Sequence, residues 1–324
     1  MSLLKLSVLM PNFNHAQYVA EALDAIVNQS FKPFEVIVCD DNSTDNSVDI
    51  IQQLVDRYQF VRLIRNNANV GVNSSCNKLI ALASGDCLFF AAADDRVLPG
   101  LFEKSMRMLE LYPQAGLCCS DAVNFNNQQG FDHIKHSRMG IEACYLSAGE
   151  VVKVMRGGRS SIAPVTCLIR RSCLMKAGGY IPELKWNGDW FLNSVIAFRC
   201  GICYIPEPLG CQRILRSSYS FVGGHNWRWR IRLAVDLANL LNLPEHDDVR
   251  DSFRKSCNMA YFGIPMLYAL FRCRKNWKYL SLLAIPYFIW NEVRLFFGLK
   301  TPNVLKMAYY HLGRTIYNEK RGVR

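Results

Sequence analysis

EVIVCDDNSTDNS, residues 35–47, carries an apolar run into two adjacent acids and then into a string of small polar residues. An apolar run of that length closed by turn formers reads as a buried strand at 35–39 whose end supplies Asp40 and Asp41. Asn42, Ser43 and Thr44 are side chains of the kind that cap a new helix. Val48, Ile51, Leu54, Val55 and Tyr58 then give that helix one apolar face.

The same order of elements stands on both sides. Upstream, LSVLM at 6–10 is stopped by Pro11, the loop PNFNHA follows, and Tyr18, Val19, Ala22, Leu23, Ile26 and Val27 mark a helix over about 16–29. Downstream, VRLIR at 61–65 leads through the polar loop NNANVGVNSS to a helix with Cys76, Leu79, Ile80 and Ala83 inward. A fourth strand, CLFFAA, ends at Asp94 and Asp95. Near-continuous apolar strands alternating with amphipathic helices predict an α/β fold with a mostly parallel wound sheet, and in such sheets ligands sit beyond the carboxyl ends of the strands. Pro11, Asp40, Asp41, Asp94 and Asp95 all fall at such ends. A cap or turn is the alternative for each acid alone, but a shared crevice accounts for all of them together.

Beyond residue 100 the pattern predicts a helix near 99–111, a strand at 115–120, a polar stretch through about 140 and a strand-to-helix junction at 165–171. A turn at 178–180 and a helix at 188–201 with Asp189 in its first turn follow, and from about 225 the chain reads as wholly helical. Two regions are expected, 1–222 and 223–324.

A chain of 324 residues, half apolar and one-fifth charged, has ample material for a core. The net charge of +11 is split: residues 1–150 hold 11 Lys and Arg against 17 Asp and Glu, and residues 151–324 hold 27 against 10. Carboxylates for a cation lie in front, and cations for phosphate or a membrane surface behind. The 13 cysteines, several inside apolar strands (Cys39, Cys87, Cys118, Cys119), read as small buried hydrophobes of a reducing compartment. Cys200 and Cys203, with Cys211 nearby, lack the second pair that a zinc site needs. The opening LLKLSVLMPNF has no signal-peptide pattern, so a cytoplasmic location is expected.

Five stretches, VLMPNFNHAQYVAEALDAIVNQSF, FEVIVCDDNSTDNS, NNANVGVNSSCNKLIALASGD, FFAAADDRVLPG and GDWFLNSVIAF, resemble in order and spacing the family-2 glycosyltransferases over roughly residues 5 to 215. The resemblance implies a GT-A-like nucleotide-sugar-binding fold and an inverting transfer from a nucleoside-diphosphate-sugar to a saccharide or lipid-linked acceptor, in bacterial surface polysaccharide synthesis. It places Pro11 and Asn14 in the loop against the base, Asp40 on the base or ribose, Asp94 on the ribose or metal, and Asp95 on a divalent cation, Mn or Mg. Asp189 matches the general base, Arg213 a position facing the diphosphate, and Asn77 and Lys78 a donor-side helix. Three departures stand out. Ala92 occupies a position that is often acidic in the family, Cys76 one that is commonly arginine, and Leu215 one that is often histidine. Ala92 and Cys76 keep open an inactive relative that only binds sugar nucleotides.

Residues 253–324 hold 13 Lys and Arg against Glu292 and Glu319. YLSLLAIPYFIW at 279–290 is too short to span a bilayer, which takes about 20 residues, and Pro286 interrupts it. With Trp227, Arg228, Trp229, Arg230 and Arg232 upstream and Trp277, Phe288, Trp290, Phe296 and Phe297 in or around it, two readings stand. Either the region lies on an anionic membrane at its inner face, or it closes a helical subdomain over the acceptor side. WRWRIR raises a nucleic-acid binder, but no reading motif accompanies it and the positive charge avoids the half with the cleft, so no nucleic-acid partner is expected.

Overall fold

The computed structural model describes residues 4–126, 130–156, 160–280, 285, 288, 289, 292 and 293. Its first strands are those the apolar runs dictate. β1 (Leu6–Asn12), β2 (Glu35–Asp40), β3 (Val61–Arg65) and β4 (Cys87–Phe90) lie parallel in the order β3-β2-β1-β4. β1 is buried along nearly its whole length because both faces are covered. Leu6, Val8 and Met10 pack with α1 (Ala16–Val27) and α2 (Ser47–Arg57), while Leu9 packs on the side of α3 (Val72–Leu82).

The rest of the sheet is mixed. β6 (Leu117–Asn126) and β10 (Ile202–Arg213) run parallel to each other, and β9 (Leu168–Arg170) is inserted antiparallel between β4 and β6. β5 (Arg96–Val97) and β8 (Cys144–Leu146) pair antiparallel with β10, and β7 (Gly130–Lys135) folds back on β6. Four strands are therefore added to the reading above, the short β5 and β8 among them. β7 occupies part of the stretch read as polar, and β10 was hidden by Pro206 and Pro208. The β6–β10 register shifts between Ile205 and Gly210, so these prolines sit in an irregularity that does not need their missing N–H groups.

Helices α4 (Leu101–Leu111), α5 (Ala148–Met155), α6 (Arg171–Ala177) and α7 (Gly188–Cys200) complete this part. After β10 come α8 (Tyr219–His225), α9 (Trp227–Leu240), α10 (Asp247–Ser256) and α11 (Ile264–Arg272). They share the core of the sheet rather than build their own. Phe253 of α10 stacks on Phe191 (5.7 Å) and meets Phe198 edge-on (5.0 Å), both of α7, and Trp190 meets Phe262 (4.8 Å). Packing thus continues across residue 222 into the helices that follow. Most of the 279–290 stretch, with Trp290, Phe296 and Phe297, lies outside the described residues. Among the described residues no helix is long and apolar enough to cross a membrane.

Candidate active site

The parallel strands bring their carboxyl ends to one edge, with Asn12 in register with Asp40. Asp40 is fully buried and organises this edge. It accepts from Asn12 Nδ2 (2.9 Å), Ser43 N (3.0 Å) and Ser43 Oγ (2.6 Å). Asn14, in the left-handed region (φ 56°), donates through its backbone to Ser43 Oγ (2.9 Å) and accepts from Thr44 N (2.8 Å). The loops after β1 and β2 are thereby fastened into one surface, with the half-buried Pro11 on its β1 side. Asp41 extends it, accepting from Asn66 Nδ2 (2.8 Å), Val70 N (3.0 Å) and Gly71 N (2.8 Å). Lys78 Nζ donates to Asn66 Oδ1 (2.7 Å).

From there α3 reaches across to the other side. Asn73 Nδ2 donates to the carbonyls of Ile181 (3.0 Å) and Lys185 (2.9 Å). The Asn77 amide is occupied at both ends by the backbone of Tyr180 (2.7 and 2.9 Å). Asn77 therefore positions the turn that leads to α7, and its amide is not turned toward a ligand.

Asp94 and Asp95 follow β4 in a turn. Arg213, at the end of β10, donates its N–H to Asp95 Oδ1 (2.8 Å) and its Nε to the Asp94 carbonyl (2.8 Å), and its guanidinium pairs with Glu21. The rings of Tyr18 and Phe125 lie 4.6 and 4.9 Å from that guanidinium, and the side chain is 3 % exposed. The cation expected on a diphosphate is thus buried where it anchors the acidic turn. Burial first, then the neighbouring Asp94 charge, push the Asp95 carboxyl well above the usual carboxylate range, against the Arg213 N–H, the Arg213 guanidinium and Lys135.

Asp189 stands in the first turn of α7, half-buried, its Oδ1 accepting from Trp190 N (2.6 Å). Burial raises its carboxyl to about 6, opposed by the Trp190 N–H and by Lys135. Cys76 feels the Asp189 charge, so the position where the resemblance expects arginine carries a buried neutral thiol beside this acid. Lys135, at the end of β7, acts electrostatically on both Asp95 and Asp189 and is the cation these two acids share. No motif or periodicity in the sequence points to it.

Among the described residues no group of three or more His, Cys, Asp or Glu is placed to hold a metal. Asp94 and Asp95 are the pair that fits a hard divalent cation. The Asp94 charge helps raise the Asp95 carboxyl, so a positive charge beside Asp95 would favour its ionised form, provided ligand oxygens and water complete the cation's shell.

The profile described as Glycosyl transferase family 2 matches residues 7–175. The chain belongs to this family. It is 36% identical over 284 residues, 85% of each chain, to a Campylobacter jejuni GalNAc(5)-diNAcBac-PP-undecaprenol beta-1,3-glucosyltransferase. It is also 36% identical over 200 residues to the uncharacterized glycosyltransferase YibD of Escherichia coli, covering 60% of this chain and 58% of YibD. A Mycobacterium tuberculosis protein, MT1568, matches at 25% identity over 66% of its own length. With YibD and MT1568 the match spans less than two thirds of the relative.

Among solved structures, Staphylococcus aureus TarS 1–349 in complex with UDP superposes with a TM-score of 0.55 at 15% identity, covering 92% of this chain and 93% of that one. The Pyrobaculum calidifontis mannosyltransferase PcManGT, in complex with GDP-Man and Mn2+, gives 0.52 at 14% identity, covering 99% and 83%. These likenesses establish the GT-A-like fold: a mixed, wound α/β sheet with flanking helices and a helical carboxyl-terminal region.

Proposed function

We propose that this family-2 glycosyltransferase transfers a sugar, with inversion, from a nucleoside-diphosphate-sugar to a hydroxyl of a lipid-linked saccharide in bacterial surface polysaccharide synthesis. The observation that carries the reading is that Asp95 and Asp189, distant in sequence, both feel the Lys135 charge, with burial raising the Asp189 carboxyl to about 6. The UDP and UDP-GlcNAc complexes of TarS support a nucleotide-sugar donor, and the Campylobacter relative's lipid-linked acceptor supports the acceptor class.

Asp189 takes the proton of the acceptor hydroxyl, which is a poor nucleophile until a positioned carboxylate removes it. The oxygen then bonds to the anomeric carbon from the face opposite the diphosphate, and the bond to the diphosphate breaks with its electron pair on the phosphate oxygen. One displacement inverts the anomeric centre. Lys135 favours the ionised form of both Asp189 and Asp95. The surface made by Pro11, Asn14 and the Asp40 loop meets the nucleoside, and Lys78 borders it. Asp94 and Asp95 are the residues that would hold a divalent cation, which would supply charge neutralisation to the departing diphosphate. The outward row of α11 and the cations after it rest on anionic lipid at the inner face of the membrane.

The test is calorimetry with UDP, GDP and dTDP, with and without Mn2+, followed by a donor screen for slow sugar transfer to water. Metal-dependent nucleotide binding with turnover is expected, and Asp189→Asn should keep the binding while losing about 10²–10⁴ of the transfer rate. Nucleotide binding without turnover on any donor would instead make the chain a binding-only relative.

A further inference from the structure

Beside Asp189 the structure holds a set of aromatic rings that packing alone does not explain. Trp186 lies three residues before Asp189, in the turn at Pro182–Asn187. Its ring stacks on Trp229 of α9, with centroids 6.1 Å apart and planes at 30°, and meets Tyr219 of α8 at 5.7 Å and 89°. Gly223 of α8 makes room for it, since a Cβ there would stand 2.4 Å from the indole. Lys185 places its ammonium 5.2 Å from the Trp229 ring and takes a left-handed backbone (φ 50°), held by the Asn73 bond to its carbonyl. Two chain segments meet here: one leaves Arg213, bound to Asp95, and reaches Tyr219; the other passes through Trp186 into Asp189. Tyr219 and Trp229 are nevertheless 47 % and 41 % exposed. Large rings fixed by one another yet open to solvent contribute little apolar burial and offer a rigid flat surface at low entropic cost.

We infer that Trp186, Tyr219 and Trp229 form the subsite for a pyranose ring of the acceptor saccharide, with Lys185 beside it for an anionic group on that acceptor. A pyranose carries its C–H bonds on one face and its hydroxyls at the rim. The C–H face packs on an aromatic ring, which leaves the rim hydroxyls free to meet Asp189. The inference rests on the glycosyltransferase reading above and adds to it the chemistry of the acceptor.

The test titrates the full chain, saturated with UDP, with an N-acetylgalactosamine pentamer, chitobiose, lactose and, as the acyclic control, glycerol, by saturation-transfer NMR and tryptophan fluorescence. At least one pyranose should bind saturably, with transfer concentrated on the protons of one ring face. Trp229→Ala and Tyr219→Ala should each weaken it at least tenfold, and Trp229→Phe should recover most of the loss; UDP affinity reports that each variant is folded. The proposal is overturned if no pyranose binds, if the alanine variants bind like the wild type, if Phe serves no better than Ala, or if the loss appears only against lipid vesicles. Ring-dependent saccharide binding in a chain that transfers no sugar would remove the enzymatic reading and leave a saccharide site.

Discussion

Asp189 is held against its own preference. Its carboxyl titrates near 6 against an ordinary 3.8, because burial outweighs the Trp190 N–H and Lys135. The folded-state value lies above the unfolded one, so between about pH 4 and 6 the folded chain keeps a proton that the unfolded chain has released, and stability falls as pH rises through that window. Above it the ionised acid costs roughly 1–3 kcal/mol, the lower part of the range applying to a half-exposed group. Asp189→Asn should therefore be more stable by about that amount at pH 7 in urea denaturation, with the gain gone below about pH 4. The same titration should make kcat fall about tenfold per pH unit below 6. A flat profile from pH 5 to 8, with no gain in stability, would take the base role away from Asp189. At this scale the sequence identified the acids at the strand tips and at the start of α7. It did not reveal that Asp40 and Arg213 face inward or that Asn77 is committed to Tyr180, since these depend on partners up to 192 residues away.

Among the elements, α11 is apolar on two sides. Pro265, Met266, Ala269 and Leu270 face the core, while Ile264, Tyr268 and Phe271, at steps of four and three, are exposed on the other face. Arg272, Arg274, Lys275 and Lys278 follow directly. This is the composition of a helix lying in a membrane interface. The chain should sediment with phosphatidylglycerol vesicles and not with phosphatidylcholine vesicles, and the double variant Tyr268→Ser, Phe271→Ser should bind at least tenfold more weakly. Equal partition into both lipids, or no effect of the double variant, would dismiss the contact. The apolar run at 279–290 is conspicuous in the sequence. The exposed row of α11 is visible only once its inner face has found the core.

Across the whole molecule, one core runs from the sheet through α7 into α10 and α11. Truncation after residue 222 would uncover Phe191, Phe198 and Trp190 and should give an aggregating chain without UDP affinity. Phe253→Ala should cost about 3–5 kcal/mol by leaving a cavity between α7 and α10. A soluble 1–222 fragment that binds UDP like the full chain would show the helical region to be an independent addition.

Local periodicity was enough to specify the alternation of strands and helices in the first hundred residues, the acids at their tips and the start of α7, because each rests on residues close along the chain. The antiparallel insertion of β9, the proline-interrupted β10, the Lys135 charge between Asp95 and Asp189, and the ring cluster at Trp186 were settled by tertiary structure. Their cause is strand register and side-chain packing between segments far apart in sequence, which leave no periodic trace in either segment alone.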